Sequence, residues 1–344
     1  AWISIPSAEL KSFYASGRTP IENSDHTITT SEVVRALELA KASHLTSDHY
    51  LVSAVPLGFE LDDSAEWVQN PIRMSAHSMM GHYQLMMLPI STMQNLDRAL
   101  KGANIGVEKM VVSCLATAEA SLLKDEKEYG ACLVDIGAGT TNIAVYLDGR
   151  LALTHTLQRG GEHVTRDIAA VLQTTTEEAE RIKLLYGCVD LKVVKPDHMI
   201  QFQGIDGPQT ISRIELAEII IARYEEILTQ VHQELQRNGA IHGLYHGVVL
   251  TGDASQIEGM VNLARHMLGV SAHLGNPPVQ VYAEEQNQAA LRRSQYATAA
   301  GLLMFSQSDT QDTIVESTDP EKLSVFKRVG RAWSALNNQL KSIF

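Results

Sequence analysis

The sequence predicts an α/β protein with two lobes, and three features carry that prediction. Its 344 residues suffice for two ordinary domains or one large bilobed α/β body. Ala131–Ile136 is a nearly unbroken apolar run, as expected of a strand buried on both faces. Long stripes at helical spacing follow it, above all over Arg213–Arg237, where Leu216, Ile220, Tyr224, Ile227, Leu228, Val231 and Leu235 share one side. Apolar residues make up 44% and charged residues 20%, a globular balance that argues against wholesale disorder.

The elements can be justified in chain order. Residues Ala1 to about Ile21 read as short strands. Thr29, three before Glu32, makes a capping box that opens a helix with Val33, Val34, Leu37 and Ala40 on one side. Extended segments follow at Tyr50–Leu61 and at Arg73–Pro89, the second interrupted at Gly81. A helix carrying Met93, Leu96 and Leu100 stops at Gly102, and a strand is expected over Val107–Ser113. Beyond Ala131–Ile136, a Gly/Thr turn leads back into Asn142–Tyr146, a hairpin. Gly160–Gly161 opens a helix to about Leu172, and Glu177–Tyr186 is a second, closed by Gly187. After Arg213–Arg237 come a strand at Gly247–Leu250, a turn and a helix from about Gln256. Ser306–Ser324 is polar and acidic and reads as a linker, and the last twenty residues regain helical periodicity. No internal repeat is visible.

Composition excludes several functions. A formal net charge of −12 makes the chain a poor partner for nucleic acid, whose phosphates need a clustered basic surface. Cys114, Cys132 and Cys188 lie far apart in apolar stretches, as buried free thiols would. The thirteen histidines show no metal-ligand spacing. No apolar run approaches the roughly 20 residues that span a bilayer. The first residue is Ala1, and the expectation is that the chain begins partway into a longer protein.

The sharpest local signal is Val134–Ala144. A buried strand leads into Asp135, then Gly137, Ala138, Gly139, Thr140 and Thr141, and turns back into a strand. Glycines let backbone N–H groups approach an anion, and threonine hydroxyls add donors, which suits a nucleotide's phosphates. Asp135 would repel phosphate unless a cation such as Mg²⁺, held through water, stood between them. The plain alternative is a tight hairpin. A second Gly-rich turn, Gly252-Asp253, again sits between a strand and a helix. Between the two turns, Glu180 and Lys183 share one helical face, either bracketing a ribose and base or forming an ordinary i,i+3 ion pair.

In this order the motifs resemble the actin and heat-shock chaperone ATPase superfamily, and within it the FtsA family of bacterial division proteins. Asp135–Tyr146 resembles the family's second phosphate motif; Gly160–Ala169, Ala179–Gly187 and Leu250–Gly259 resemble its adenosine-binding elements; Tyr296–Met304 resembles its closing helix. The resemblance runs from about Ile5 to Phe344. It implies an actin-like (ribonuclease H-like) fold that lacks its N-terminal segment. It further implies a remnant of subdomain 1A at 1–12, an SHS2-like subdomain 1C at 13–90, the rest of 1A at 91–127, and 2A with 2B at 128–305, 2B being roughly 175–243. A linker at 306–324 and a membrane-targeting helix at 325–344 complete the scheme. The implied cofactors are ATP and Mg²⁺, held by Asp135, Gly137, Ala138, Gly139, Thr140, Thr141, Gly160, Gly161, Glu180, Lys183, Gly252 and Asp253.

Departures from the family pattern are legible too. Nothing matches the family's first phosphate motif, Asn142 stands where an Asp is usual, and Asp253 replaces a glycine. Weak nucleotide binding is the expectation. Ser113 holds the place of a water-orienting Glu and cannot act as a base at neutral pH, so turnover is expected to be slow.

Val325–Phe344 carries Phe326, Val329, Trp333, Leu336, Leu340 and Ile343 on one stripe, ending at Phe344, with Lys327, Arg328, Arg331 and Lys341 off it and no acidic residue. An interfacial membrane helix explains both features, each basic residue adding about 1 kcal/mol near anionic lipid; a core-docking helix is the alternative. The resemblance implies further partners: the C-terminal tail of FtsZ, sought first at Arg223, Arg237 and Asn238, other division proteins, and further copies of the chain. It places the protein peripherally on the cytoplasmic face of the inner membrane, at the septum. A pilus-assembly protein of the same fold and a small-molecule kinase of the superfamily are the competing readings.

Overall fold

The computed structural model describes residues 1–6, 9–43, 48–195, 197–277 and 293–307. The expected membrane helix, and the expected linker beyond residue 307, lie outside the described residues. Two compact units emerge, residues 1–112 and Ser113–Gln307.

In the first unit, β2 (Lys11–Pro20), β3 (His49–Leu61), β4 (Trp67–Val68) and β5 (Ser78–Pro89) form an antiparallel sheet in the order β2-β5-β3-β4. Helix α1 (Thr30–Ala42) packs on one face of it, opened by the expected Thr29/Glu32 capping box. Gly17 makes the contact close. A Cβ there would stand 2.0 Å from the carbonyl oxygen of Ala36, so only glycine lets the helix lie against β2. The core behind this contact includes Ala36, Leu37, Ala40, Phe59, Met79, Tyr83 and Leu85. Val34, expected on the buried side, is instead 42% exposed, because the helix is rotated to seat Ala36 and Ala40 on Gly17. Gly81 does not interrupt its strand. It pairs with both Gly17 and Phe59 inside β5. Strand β1 (Trp2–Ile5) pairs in parallel with β6 (Lys109–Val112), and α2 (Ile90–Gly102) lies between β5 and β6 in the chain.

The second unit is built on a five-stranded sheet of β7 (Ala131–Ile136), β8 (Thr141–Leu147), β9 (Arg150–Leu157), β12 (Gly247–Thr251) and β13 (Ala272–Leu274). Their order is β13-β12-β7-β8-β9, with β13, β12 and β7 parallel and β7, β8 and β9 an antiparallel meander. Leu133, Val134, Ile143 and Leu250 are fully buried, as the apolar runs require. Helices α5 (Gly161–Leu172), α6 (Thr176–Tyr186), α7 (Arg213–Arg237) and α8 (Met260–Leu268) supply the rest of the core with the hairpin β10 (Met199–Gly204)–β11 (Gly207–Ser212). Every residue of the expected α7 stripe is buried, and Ser212 with Glu215 forms its capping box. Helix α8 starts at Met260 rather than Gln256, because Gly259, at φ 93°, breaks the chain direction after one 3₁₀ turn. Helices α3 (Ser113–Ser121) and α4 (Lys124–Tyr129) lead into the sheet, and α9 (Ala297–Gln307) packs on α3 through Gly301. It reaches two residues into the segment expected to be linker. All three cysteines are free and buried, and burial pushes the Cys132 thiol well above its ordinary range.

Candidate functional site

The C-terminal ends of the parallel strands β7 and β12 lie side by side, with Asp135 paired to Thr251. In open α/β sheets this edge is where ligands collect. Three backbone segments meet here. The β7–β8 turn closes through Gly137 N–H to the carbonyl of Thr140 at 2.9 Å. The start of α5 docks on it, Gly161 N–H donating to Gly137 at 2.9 Å and Glu162 N–H to Ala138 at 2.8 Å. A Cβ on Gly160 would stand 2.5 Å from the carbonyl oxygen of Gly137, and one on Gly161 would stand 2.9 Å from the Cβ of Ala254 in the third segment. Gly252, at φ 85°, lies so near β7 that a Cβ would meet the carbonyl oxygen of Ile136 at 2.4 Å. The buried Tyr224 of α7 holds this third segment by donating its hydroxyl to Ala254 at 2.7 Å.

Ala138 and Gly139 stand exposed at the tip of the turn, and a Cβ on Gly139 would meet nothing within 4 Å. That is room for an incoming anion beside the backbone. Thr140 is half-buried at the end of the turn. Thr141 is different: fully buried, it donates its hydroxyl to the carbonyl of Arg159 at 2.8 Å and so holds the loop before α5.

Asp135 is half-buried at the end of β7. The amide of Asn142, its partner across the hairpin, approaches Oδ2 at 3.5 Å. Burial raises its carboxyl above the ordinary range, while hydrogen bonds from Asn142 and Thr117 oppose the rise. Thr117 Oγ1 also lies 2.8 Å from the hydroxyl of Thr298 and 2.9 Å from the carbonyl oxygen of Ser113, so two threonine hydroxyls stand beside Asp135. Thr251 Oγ1 is buried with no partner among the described residues.

Glu180 and Lys183 pair with each other at 2.7 Å on α6. They also reach α5: Lys183 Nζ donates to the carbonyl of Gly161 at 3.1 Å and to Thr165 at 2.8 Å, and Thr165 donates to Glu180. Asp253 borders a cavity of about 520 Å³ with Gln256, Asn276, Pro277, Arg293, Ser294 and Gln295. The turn residues and the Glu180–Lys183 pair are therefore brought together around the N-terminus of α5. Sequence reasoning missed Thr165, Tyr224 and Arg293, whose roles depend on packing; the four-residue step from Gly161 to Thr165 was the one signal available.

The backbone geometry fits a nucleotide's phosphates, with three glycine-dependent close approaches and an open turn tip. For a Mg²⁺ held mainly by phosphate oxygens and waters, the side chains at the turn offer one carboxylate, Asp135. Among the described residues no three His, Cys, Asp or Glu groups come together as metal ligands, and the residue facing Asp135 is an amide.

Arg223, Arg237 and Asn238 lie elsewhere, on α7 and at its end. Arg223 grips Asp167 of α5 through two bonds, at 2.6 and 2.8 Å, and also pairs with Glu226. Arg237, its side chain 72% exposed, pairs with Glu234 at 2.7 Å, and Asn238 caps the helix on the carbonyl of Glu234 at 2.8 Å. No helix among the described residues is long and apolar enough to cross a membrane.

Comparison with known proteins agrees with this architecture. Residues 132–301 match the family model for cell division protein FtsA, and residues 7–87 match that for the SHS2 domain inserted in FtsA. Cell division protein FtsA of Pseudomonas aeruginosa is 31% identical over 340 residues, spanning 96% of this chain and 80% of its own length. The Escherichia coli K12 protein is 31% identical over 85% of this chain and 70% of its own length. Among solved structures, a chain of the PilM–PilN type IV pilus biogenesis complex matches with a TM-score of 0.57 over 86% of this chain and 77% of that one, at 17% identity. MreB5 of Spiroplasma citri bound to ADP matches with a TM-score of 0.50 over 62% of this chain and 64% of that one, also at 17% identity. Likeness at that identity establishes the fold alone, and the fold is actin-like.

Proposed function

The chain belongs to the FtsA family of cell division proteins, and on that premise we propose that it is an actin-like scaffold tying the FtsZ ring to the membrane. In this reading a nucleotide such as ATP sits at the Gly137–Thr140 turn. Its phosphates meet the backbone of that turn and of Gly160–Gly161 and Gly252, while Lys183, Glu180 and Asp253 flank the ribose and base. The observation that carries the reading is the convergence of those three segments, the second and third brought against β7 and its turn by Gly160, Gly161 and Gly252, where a larger residue would clash. The nucleotide acts as an assembly ligand. Ser113 and the hydroxyls around Thr117 supply no general base, so hydrolysis is slow.

Residues 13–90 are assigned to subdomain 1C, facing later division proteins and neighbouring copies, and α7 belongs to 2B, which takes the C-terminal tail of FtsZ. Val325–Phe344 is the anchor at the cytoplasmic face of the inner membrane at the septum. Its basic amphipathic pattern supports that role, and several anchors on one polymer would bind far better than one. The sequence relatives are division proteins, whereas the pilus protein shares the fold at 17% identity. Co-sedimentation tests the proposal. The full chain should pellet with anionic vesicles and carry FtsZ down through its tail. A chain that stays in solution with both sinks the reading.

A further inference from the structure

The sheet of the first unit buries a histidine on the face turned away from α1. Gly81 and Tyr83 of β5 face that helix, since Gly81 pairs with Gly17 and the Tyr83 hydroxyl donates to the carbonyl of Val33 at 3.2 Å. His82 stands between them and so points to the opposite face. It is nonetheless only 4% exposed. Its cover is Trp67 of β4, whose ring lies parallel to the imidazole, the centroids 3.9 Å apart and the planes 6° from each other. Trp67 pairs across the strands with Glu60 of β3, at the edge of the sheet.

Two titratable groups face the ring. Tyr14 of β2 sets its hydroxyl against Nδ1, and Glu60 brings Oε2 to 3.5 Å from Nε2. That Nε2 is buried and makes no hydrogen bond among the described residues. Arg18 of β2, further along the same face, is taken by Asp63, and β4 itself brings no titratable side chain. A second proton on the ring would place a cation beneath the indole. Trp67 and Glu60 both favour that cation. The loss of water around it is the larger effect, and it holds the proton affinity of His82 below its ordinary value. The ring therefore takes its proton more readily once Trp67 has moved aside and water reaches it. By linkage, falling pH favours the uncovered state.

We propose that Trp67 is a proton-operated cover, closed on neutral His82 and released when the ring is protonated, which opens a polar site of Tyr14, Glu60 and His82 on this face. The full chain labelled with 5-fluorotryptophan gives a fluorine NMR signal for each of its three tryptophans, and Trp67→Phe identifies the relevant one. Between about pH 8 and about pH 5 that signal should shift, with a midpoint below the 6.5 of an ordinary histidine. A soluble gadolinium probe should broaden it more at the acid end. His82→Gln should leave the signal flat over the same range. Glu60→Gln should move the midpoint further down, because the carboxylate favours the imidazolium. A native Trp67 signal that stays still, shifts alike in His82→Gln, or grows less accessible to the probe in acid overturns the inference. If His82→Gln does not fold, Glu60→Gln decides, and an unchanged or raised midpoint there overturns it as well.

Discussion

Gly252 lies against the carboxyl of Asp135, so close that a Cβ on the glycine would stand 2.5 Å from Oδ1. Its φ of 85° adds a backbone penalty for any other residue. Gly252→Ala should therefore destabilise the second unit by roughly 1–3 kcal/mol, read from urea unfolding. Gly139→Ala is the counterpart. Nothing lies within 4 Å of its added methyl, so stability should change little, while nucleotide affinity falls because the methyl fills the space beside the turn. Equal stability losses in the two variants would contradict this account of the turn.

Arg223 and Arg237 should behave differently although both belong to α7. Arg223 spans to Asp167 on α5 with both side chains at most 30% exposed, so Arg223→Ala should lose about 1 kcal/mol of stability. A double-mutant cycle with Asp167→Ala measures the coupling. Arg237→Ala should be neutral for folding, so any loss of FtsZ-tail binding in that variant reports a direct contact. Unchanged tail binding in Arg237→Ala moves the contact elsewhere.

Glu178 provides a pH signature. Arg181 holds its carboxyl down to about 2 from an ordinary 4.5, with a further bond from Gln203 N–H at 2.9 Å. A carboxyl depressed in the folded state stabilises fully above its unfolded pKa, and that stability is lost as pH falls through the folded value. Between about pH 4.5 and pH 2 the native chain should lose on the order of 1 kcal/mol through this group, after discounting for the exposed Arg181. Glu178→Gln should remove that part of the acid sensitivity. Identical pH profiles of the unfolding midpoint would refute the assignment.

The membrane anchor can be dissected by two substitutions. Trp333→Glu puts a charge into the apolar stripe and should abolish vesicle binding at any salt concentration. Arg331→Glu alters only the electrostatic part, so its effect should appear mainly at low salt, where screening is weak. Deleting Val325–Phe344 should leave a folded body that no longer pellets with vesicles. Loss of folding in that variant would put the helix in the core.

Elements whose reasons lie within a few residues were legible in the sequence. The Thr29/Glu32 box, the apolar run of β7 and the seven-residue stripe of α7 each depend on spacing alone. What depended on a distant partner was not. Val34 and Ala36 exchange roles because of Gly17, nineteen residues before Ala36, and β11, Gly207–Ser212, carries a single apolar residue inside it, Ile211, besides Pro208. At the site, the glycines of both turns stood out. The engagements of Lys183 with Gly161 and of Arg223 with Asp167 required the packing of α5 against α6 and α7.

The burial of Cys114, Cys132 and Cys188 has a practical side. All the thiols of the chain lie out of reach of solvent, and the raised Cys132 and Cys188 keep little of the reactive thiolate at neutral pH. The native protein should therefore be nearly silent to maleimide dyes while folded. A single cysteine placed at the 83% exposed Tyr245 would then take one label without removing any native thiol. Assembly of the chain on vesicles could be followed by energy transfer between copies, and unfolding by the appearance of three further reactive groups.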